Sequence, residues 1–154
     1  MFESAQRQGL RFECSQCSFC YTGSPGHVWL GLSDIDALCA FLGMDFERFA
    51  REYCVYVDTG GAFSLSLREK SGYDCVFLEG GQCSAYEARP VQCRTYPFWE
   101  EILESEARWK DEARYCPGIG RGPFVHPARI AEALIQRRSN PRSLFPVKDG
   151  KERS

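Results

Sequence analysis

The spacing of apolar residues changes along the chain, and each change marks an element. From Ser33 onward, Ile35, Leu38, Cys39 and Leu42 recur at the step of one helix face, and Gly43 can close that helix. Ser33 and Asp36 have the spacing of a capping box at its start. Asp45 can cap a second helix with Phe46, Phe49, Ala50 and Tyr53 on one side. The period then shortens. Cys54-Val55-Tyr56-Val57 and Phe63-Ser64-Leu65-Ser66-Leu67 flank Asp58-Thr59-Gly60-Gly61, which predicts a β-hairpin. The second of these runs alternates apolar residues with Ser, as a half-buried strand does.

A second, smaller hairpin is predicted at Cys75-Val76-Phe77-Leu78 and Cys83-Ser84-Ala85-Tyr86, turning at Glu79-Gly80-Gly81-Gln82. Such a turn would return Cys83 close to Cys75. Pro90 suits the first turn of a short helix carrying Cys93, and Pro97 limits it. Residues 98–114 read as a surface helix with Phe98, Ile102, Trp109 and Ala113 on one stripe. Residues 116–123 read as a tight loop rich in Gly and Pro. His126-Pro127 opens a last helix, with His126 as its cap and Ile130, Leu134 and Ile135 facing inward. Earlier in the chain, Leu10–Glu13 and His27–Leu30 read as short extended pieces around a turn-rich loop at 22–26.

These elements define an α+β fold: a small, helix-rich single domain with one or two short β-hairpins. Its expected bounds are a flexible N-terminus at 1–9, a folded domain at 10–136 and a loose polar, basic tail at 137–154. The 154 residues are 44% hydrophobic, with 11 Phe, so a core is available. A chain of this size buries roughly two-thirds of its unfolded surface.

Charge removes some functions. Nineteen basic residues against 21 acidic ones give a net charge of −2. A general nucleic-acid binder needs an excess of Lys and Arg to displace counterions, so none is expected here. No stretch approaches the roughly 18 apolar residues of a membrane span, and the first residues carry no apolar run. A cytoplasmic protein is expected.

Nine cysteines change the picture more than any other feature. Three of them form Cys14-x2-Cys17-x2-Cys20. Packing selects volume and not a fixed step, whereas a two-residue gap aims successive sulfurs at one point. Cys39 lies on a helical apolar stripe and Cys54 at the start of a strand, and both read as core residues. Setting these two aside leaves seven candidate metal ligands: Cys14, Cys17, Cys20, Cys75, Cys83, Cys93 and Cys116. In a reducing compartment, clustered thiols of this kind indicate metal or redox chemistry more than disulfides. The fold is therefore expected to form around a cysteine-bound metal centre.

Four spaced motifs carry a resemblance. They are Phe12-x-Cys14-x2-Cys17-x2-Cys20; Cys75-Val-Phe-Leu-x-Gly-Gly-x-Cys83-x-x-Tyr86; Arg89-Pro90-x-x-Cys93-Arg94-x-Tyr96-Pro97-Phe98; and Cys116-Pro-Gly-Ile-Gly-x-Gly. In this order, from about residue 12 to 122, they resemble the YkgJ-type cysteine-cluster family, the CxxCxxCC zinc- or iron-chelating domain. The resemblance implies a small metal-chelating domain. A similar segment occurs in flagellin lysine methylases, where it implies an iron–sulfur cluster. The family's first motif usually ends in two cysteines, and Tyr21 stands at the last position here. Eight expected thiols become seven.

The cofactor is thus an iron–sulfur cluster (4Fe-4S) or zinc. A third Cys three residues after a CxxC fits a cluster, or a shared dinuclear site, better than a single zinc knuckle. Cys14, Cys17 and Cys20 followed by a remote Cys116-Pro117 have the order of a bacterial ferredoxin run. His27 or Tyr21 could stand in for the missing thiol, although a plain loop His and a packed aromatic are the simpler accounts. Arg94, and with it Arg89, could offset thiolate charge beside Cys93. Asp34 and Asp36 read as helix-start residues. No catalytic triad, phosphate loop or HExxH occurs. Three roles stay open: a metal- or cluster-binding protein in redox or metal handling, an enzyme or accessory with an open metal position, and a structural zinc module that binds a protein partner.

Overall fold

The computed structural model describes residues 1–14 and 26–146. Among them are six α-helices: α1 (Glu3–Arg7), α2 (Leu32–Leu42), α3 (Phe46–Tyr53), α4 (Val91–Thr95), α5 (Glu106–Glu112) and α6 (Pro127–Ser139). The strands are β1 (Leu10–Phe12), β2 (Cys54–Asp58), β3 (Ala62–Leu67), β4 (Leu78–Glu79), β5 (Gln82–Cys83), β6 (Ile119–Val125) and β7 (Phe145–Pro146). They pair antiparallel in three small sheets, ordered β1-β6, β2-β3-β7 and β4-β5. This is the α+β fold expected from the sequence.

Two apolar clusters underlie these sheets. The first gathers Leu30, Ile35, Leu38, Phe49, Leu65, Leu67 and Phe77 under the β2–β3 hairpin. The second gathers Ala5, Leu10, Phe98, Leu103, Trp109 and Ile130 between β1, the 98–112 segment and α6. Cys54 and Cys75 belong to the first cluster, and Cys39 and Cys83 pack against it.

The β2–β3 hairpin has the predicted register, with Cys54 opposite Leu67 and Asp58 opposite Phe63. Its turn is closed by the Gly60 N–H donating to Asp58 Oδ1, and Gly60 and Gly61 both take positive φ. The expected half-buried strand is covered on both faces, however. Ser64 and Ser66 are fully buried, and the 27–30 segment runs antiparallel beside β3 through a Trp29–Ser66 bridge. Ser66 Oγ accepts the Val28 N–H and Ser64 Oγ bonds Thr59 Oγ1, so both hydroxyls keep hydrogen bonds in the interior.

Several boundaries differ from the sequence reading. The start of helix α2 lies two residues earlier, with Gly31 and not Ser33 as its N-cap, and the side chain reaching back is Asp34, not Asp36. Residues 98–104 are turns, and the predicted 98–114 helix shrinks to α5, capped by Ser105 Oγ accepting the Arg108 N–H. Phe98, Ile102 and Leu103 are buried from these turns in the second apolar cluster, while Ala113 is exposed. The expected loop at 116–123 contains most of β6, which pairs with β1 through a bulge between Arg11 and Phe12. Residues 3–7 form α1, with Ala5 fully buried.

The region from 137 is likewise structured as far as it is described. Arg137 makes a two-pronged ion pair with Glu101, Ser143 bonds the Leu30 carbonyl, and β7 joins β3. Ile135 points outward, unlike Ile130 and Leu134. As expected, His126 caps α6 through Nδ1, which accepts the Ala128 N–H. The rest of the predicted tail, 147–154, lies outside the described residues.

Asp34 ties the pieces together. One carboxylate oxygen accepts the Gly31 N–H at 3.0 Å and the other accepts the Val91 N–H at 2.9 Å, joining α2 to α4. The side chain is buried. Burial pushes its carboxyl above the usual range, against the pull of those two donors, the Arg94 charge and the Asn140 amide. Removing it strands two donors in the interior. Asp34→Ala is expected to cost about 2–4 kcal/mol in urea unfolding, and Asp34→Asn less, because one acceptor oxygen remains.

Candidate metal centre

The first cysteine motif enters the structure at β1. Past Phe12, the Glu13 N–H donates to the Gly118 carbonyl at 3.1 Å. This contact sets Cys14, which is exposed, beside the turn that begins at Cys116, which is buried. The approach is too close for a side chain: a Cβ on Gly118 would lie 2.2 Å from the Glu13 carbonyl oxygen. Gly122 has the same problem, since its Cβ would meet Glu13 Cβ at 2.5 Å and its φ is +77°. Arg11 Nε donates to the Gly122 carbonyl at 2.9 Å and fixes the same register. The glycines of Cys116-Pro-Gly-Ile-Gly-x-Gly therefore serve strand approach.

The motif leaves at residues 26–29, which are held by different segments. The Gly26 N–H donates to Glu69 Oε1 at 3.0 Å, and Glu69 forms a β-bridge with Cys75. Gln92, the residue before Cys93, uses both ends of its amide. Its Nε2 donates to the His27 carbonyl at 2.8 Å and its Oε1 accepts the Trp29 N–H at 3.0 Å. The chain between these two anchored ends carries Cys17, Cys20 and Tyr21, all of which lie outside the described residues.

The predicted hairpin forms but is shorter than expected: Cys83 lies in it, while Cys75 precedes it and bridges Glu69, near enough for a charge on Cys83 to act on Cys75. The hairpin's paired residues are Leu78 with Cys83 and Glu79 with Gln82. Burial pushes both thiols up, and a charge on Cys83 would push Cys75 further. Opposing this, the backbone N–H two residues ahead hydrogen-bonds each sulfur, from Phe77 to Cys75 and from Ala85 to Cys83. Lys70 lies near Cys75 and Arg89 near Cys83, and both favour the thiolate. The Glu69 charge opposes them at Cys75. A buried thiol beside a half-buried one, with cations nearby, suits a soft metal, whose charge would replace the protons.

Arg94 and Arg89, the two cations that flank Cys93, have different partners among the described residues. The Arg94 guanidinium donates to the Arg89 carbonyl and acts on Asp34, whereas Arg89, stacked 3.8 Å over the Tyr86 ring, acts on Cys83. Lys70 escaped the sequence reading. Its ammonium reaches the Leu78 carbonyl across the hairpin at 2.6 Å, a contact no local pattern announces. The exposed His27 ring packs on Trp29, with ring centroids 4.6 Å apart. Cys39 and Cys54 sit in the first apolar cluster, and burial pushes the Cys54 thiol up to about 12. No disulfide joins the described cysteines. Among the described residues, no three of His, Cys, Asp and Glu converge on one point.

Comparison with known proteins follows the same segments. Residues 13–117 match the CxxCxxCC family, described as "Putative zinc- or iron-chelating domain", and the chain belongs to that family. An uncharacterised protein of Methanocaldococcus jannaschii is 27% identical over 120 residues. That match covers 75% of this chain and 39% of the relative, so the chain spans well under half of that protein's length. No solved structure matches. No helix among the described residues is long and apolar enough to cross a membrane.

The close approach at Gly118 gives a direct test. Gly118→Ala must push Glu13 away and separate the Cys14 and Cys116 segments, at a cost of about 1–3 kcal/mol. Gly26→Ala, where a Cβ meets nothing within 4 Å, is the control and should leave the melting temperature unchanged. Thermal unfolding of the two variants checks this.

Proposed function

We propose that the protein binds its metal through cysteine thiolates, as an iron–sulfur cluster in the first place and as zinc in the second. The ligands are drawn from Cys14, Cys17, Cys20, Cys75, Cys83, Cys93 and Cys116. The observation that carries this reading is the Cys75–Cys83 pair. Its two sulfurs are not joined in a disulfide, and the backbone N–H groups of Phe77 and Ala85, with Lys70 and Arg89, pull the two thiols toward thiolate against the effect of burial. Such donors stabilise thiolate in a metal-bound state.

The other segments add support. The first motif is anchored at one end beside Cys116 and at the other beside Cys75 and Cys93. The family's description is of zinc or iron chelation. A bound cluster would supply electron transfer or redox sensing, and a bound zinc would supply structure. Glu13, Glu69 and Gln92 hold the segments, while Lys70 and Arg89 offset thiolate charge at Cys75 and Cys83. The role that follows is redox work, metal handling or service as a cluster-bearing accessory. Tyr21, in place of an eighth thiol, leaves one fewer sulfur than two four-cysteine sites require.

Cysteine variants test the ligand set. Cys17→Ala and Cys93→Ala are expected to lose metal and to melt earlier, because metal binding free energy contributes directly to folding. Cys39→Ala should keep the full metal content. Elemental analysis and thermal unfolding of the three variants read this out. Full metal and an unchanged melting temperature in Cys17→Ala and Cys93→Ala would refute the assignment.

A further inference from the structure

Two polar side chains that need touch no metal hold the downstream end of the first cysteine motif. Gln92 stands next to Cys93 on α4 and makes two hydrogen bonds to main chain 63 and 65 residues away in sequence. Its own carbonyl accepts the Trp99 indole N–H at 3.1 Å, which fixes the helix turn it belongs to. Glu69 stands opposite Cys75 in a β-bridge and accepts the Gly26 N–H. Each residue thus couples the main chain just after the motif to a different cysteine-bearing segment.

We infer that Gln92 and Glu69 are positioning residues of the metal centre, holding residues 26–29 so that the first-motif thiols are presented to Cys75 and Cys93. This rests on the thiolate-site reading above. The physical argument is one of chain entropy. Residues 28–30 are already tied to β3 through the Val28 and Leu30 main chain, and Gln92 and Glu69 extend that hold to His27 and Gly26. Each further residue so fixed removes roughly 1–2 kcal/mol of backbone freedom that binding would otherwise have to overcome. The Gln92 amide suits this task because it satisfies one carbonyl and one N–H of the same extended stretch, as a neighbouring strand would. Apolar packing at this place could not fix the register along the chain.

The experiment uses the full chain, freed of metal under anaerobic conditions and titrated with cobalt(II) against a competing chelator. Sulfur-to-cobalt charge-transfer absorption reports the thiolate site, and circular dichroism reports the fold. Gln92→Leu and Glu69→Ala are expected to bind cobalt(II) about 10–100-fold more weakly than wild type with unchanged circular dichroism. Glu69→Gln keeps an acceptor oxygen for the Gly26 N–H and should restore affinity to within about threefold of wild type. Wild-type affinity and spectrum in both Gln92→Leu and Glu69→Ala would overturn the inference and leave the thiolate reading intact. The inference also fails if Glu69→Gln is as weak as Glu69→Ala, since the acceptor would then not be what matters. Wild-type protein that takes up no cobalt(II) would remove the thiolate site itself, and the inference with it.

Discussion

The contact on which the arrangement depends is the backbone approach of Glu13 to Gly118. It is the last described point before the dense cysteine run, and it decides that Cys14 lies beside the Cys116 turn. The hydrogen bond alone would contribute only about 1 kcal/mol net. What gives it authority is steric. Gly118 has no room for a Cβ, so β1 and β6 come together at this register or not at all. The positive φ of Gly120 and Gly122 then lets β6 bend around the bulge and continue to Val125. This contact ties the start of the first motif to the Cys116 turn, and Glu69 and Gln92 tie residues 26 and 27 to the segments that carry Cys75 and Cys93.

The two apolar clusters divide the cysteines. Cys75 and Cys83 belong with the cluster under β2 and β3, whereas Cys14 and Cys116 flank the β1–β6 ribbon beside the other. Cys93 sits on α4, which Asp34 holds to α2 and which packs against α6. A buried carboxylate with two backbone donors is a costly way to join helices unless their relative position matters. Its position here fixes the helix that presents Cys93.

Much of the fold could be read from local pattern, and the failures have a common cause. The α2, α3 and α6 helices and the β2–β3 hairpin declare themselves because their periodicity and caps are local: Asp45, the Gly60-Gly61 turn and His126 all act within their own segment. The Cys75–Cys83 approach was legible for the same reason, through the Gly80-Gly81 turn. β6 was not, because a Gly- and Pro-rich strand exists only through its partner β1, over a hundred residues earlier. The 98–114 stripe misled because Phe98 and Ile102 reach the second apolar cluster from turns, whose spacing can imitate a helix over a short run. At the site, the thiols were visible as a pattern, but Lys70, Gln92 and Glu69 were not. They act outside any repeating pattern, through single hydrogen bonds between separate segments, which leave no periodic trace.

The most direct test of the metal reading is the composition of protein purified anaerobically from cells grown without added metal. An absorption spectrum is recorded beside elemental analysis for iron and zinc and an assay for labile sulfide. The account predicts stoichiometric metal: iron with matching sulfide and a broad visible band for a cluster, or zinc without colour. Protein that carries neither metal, with its thiols paired as disulfides, would contradict it.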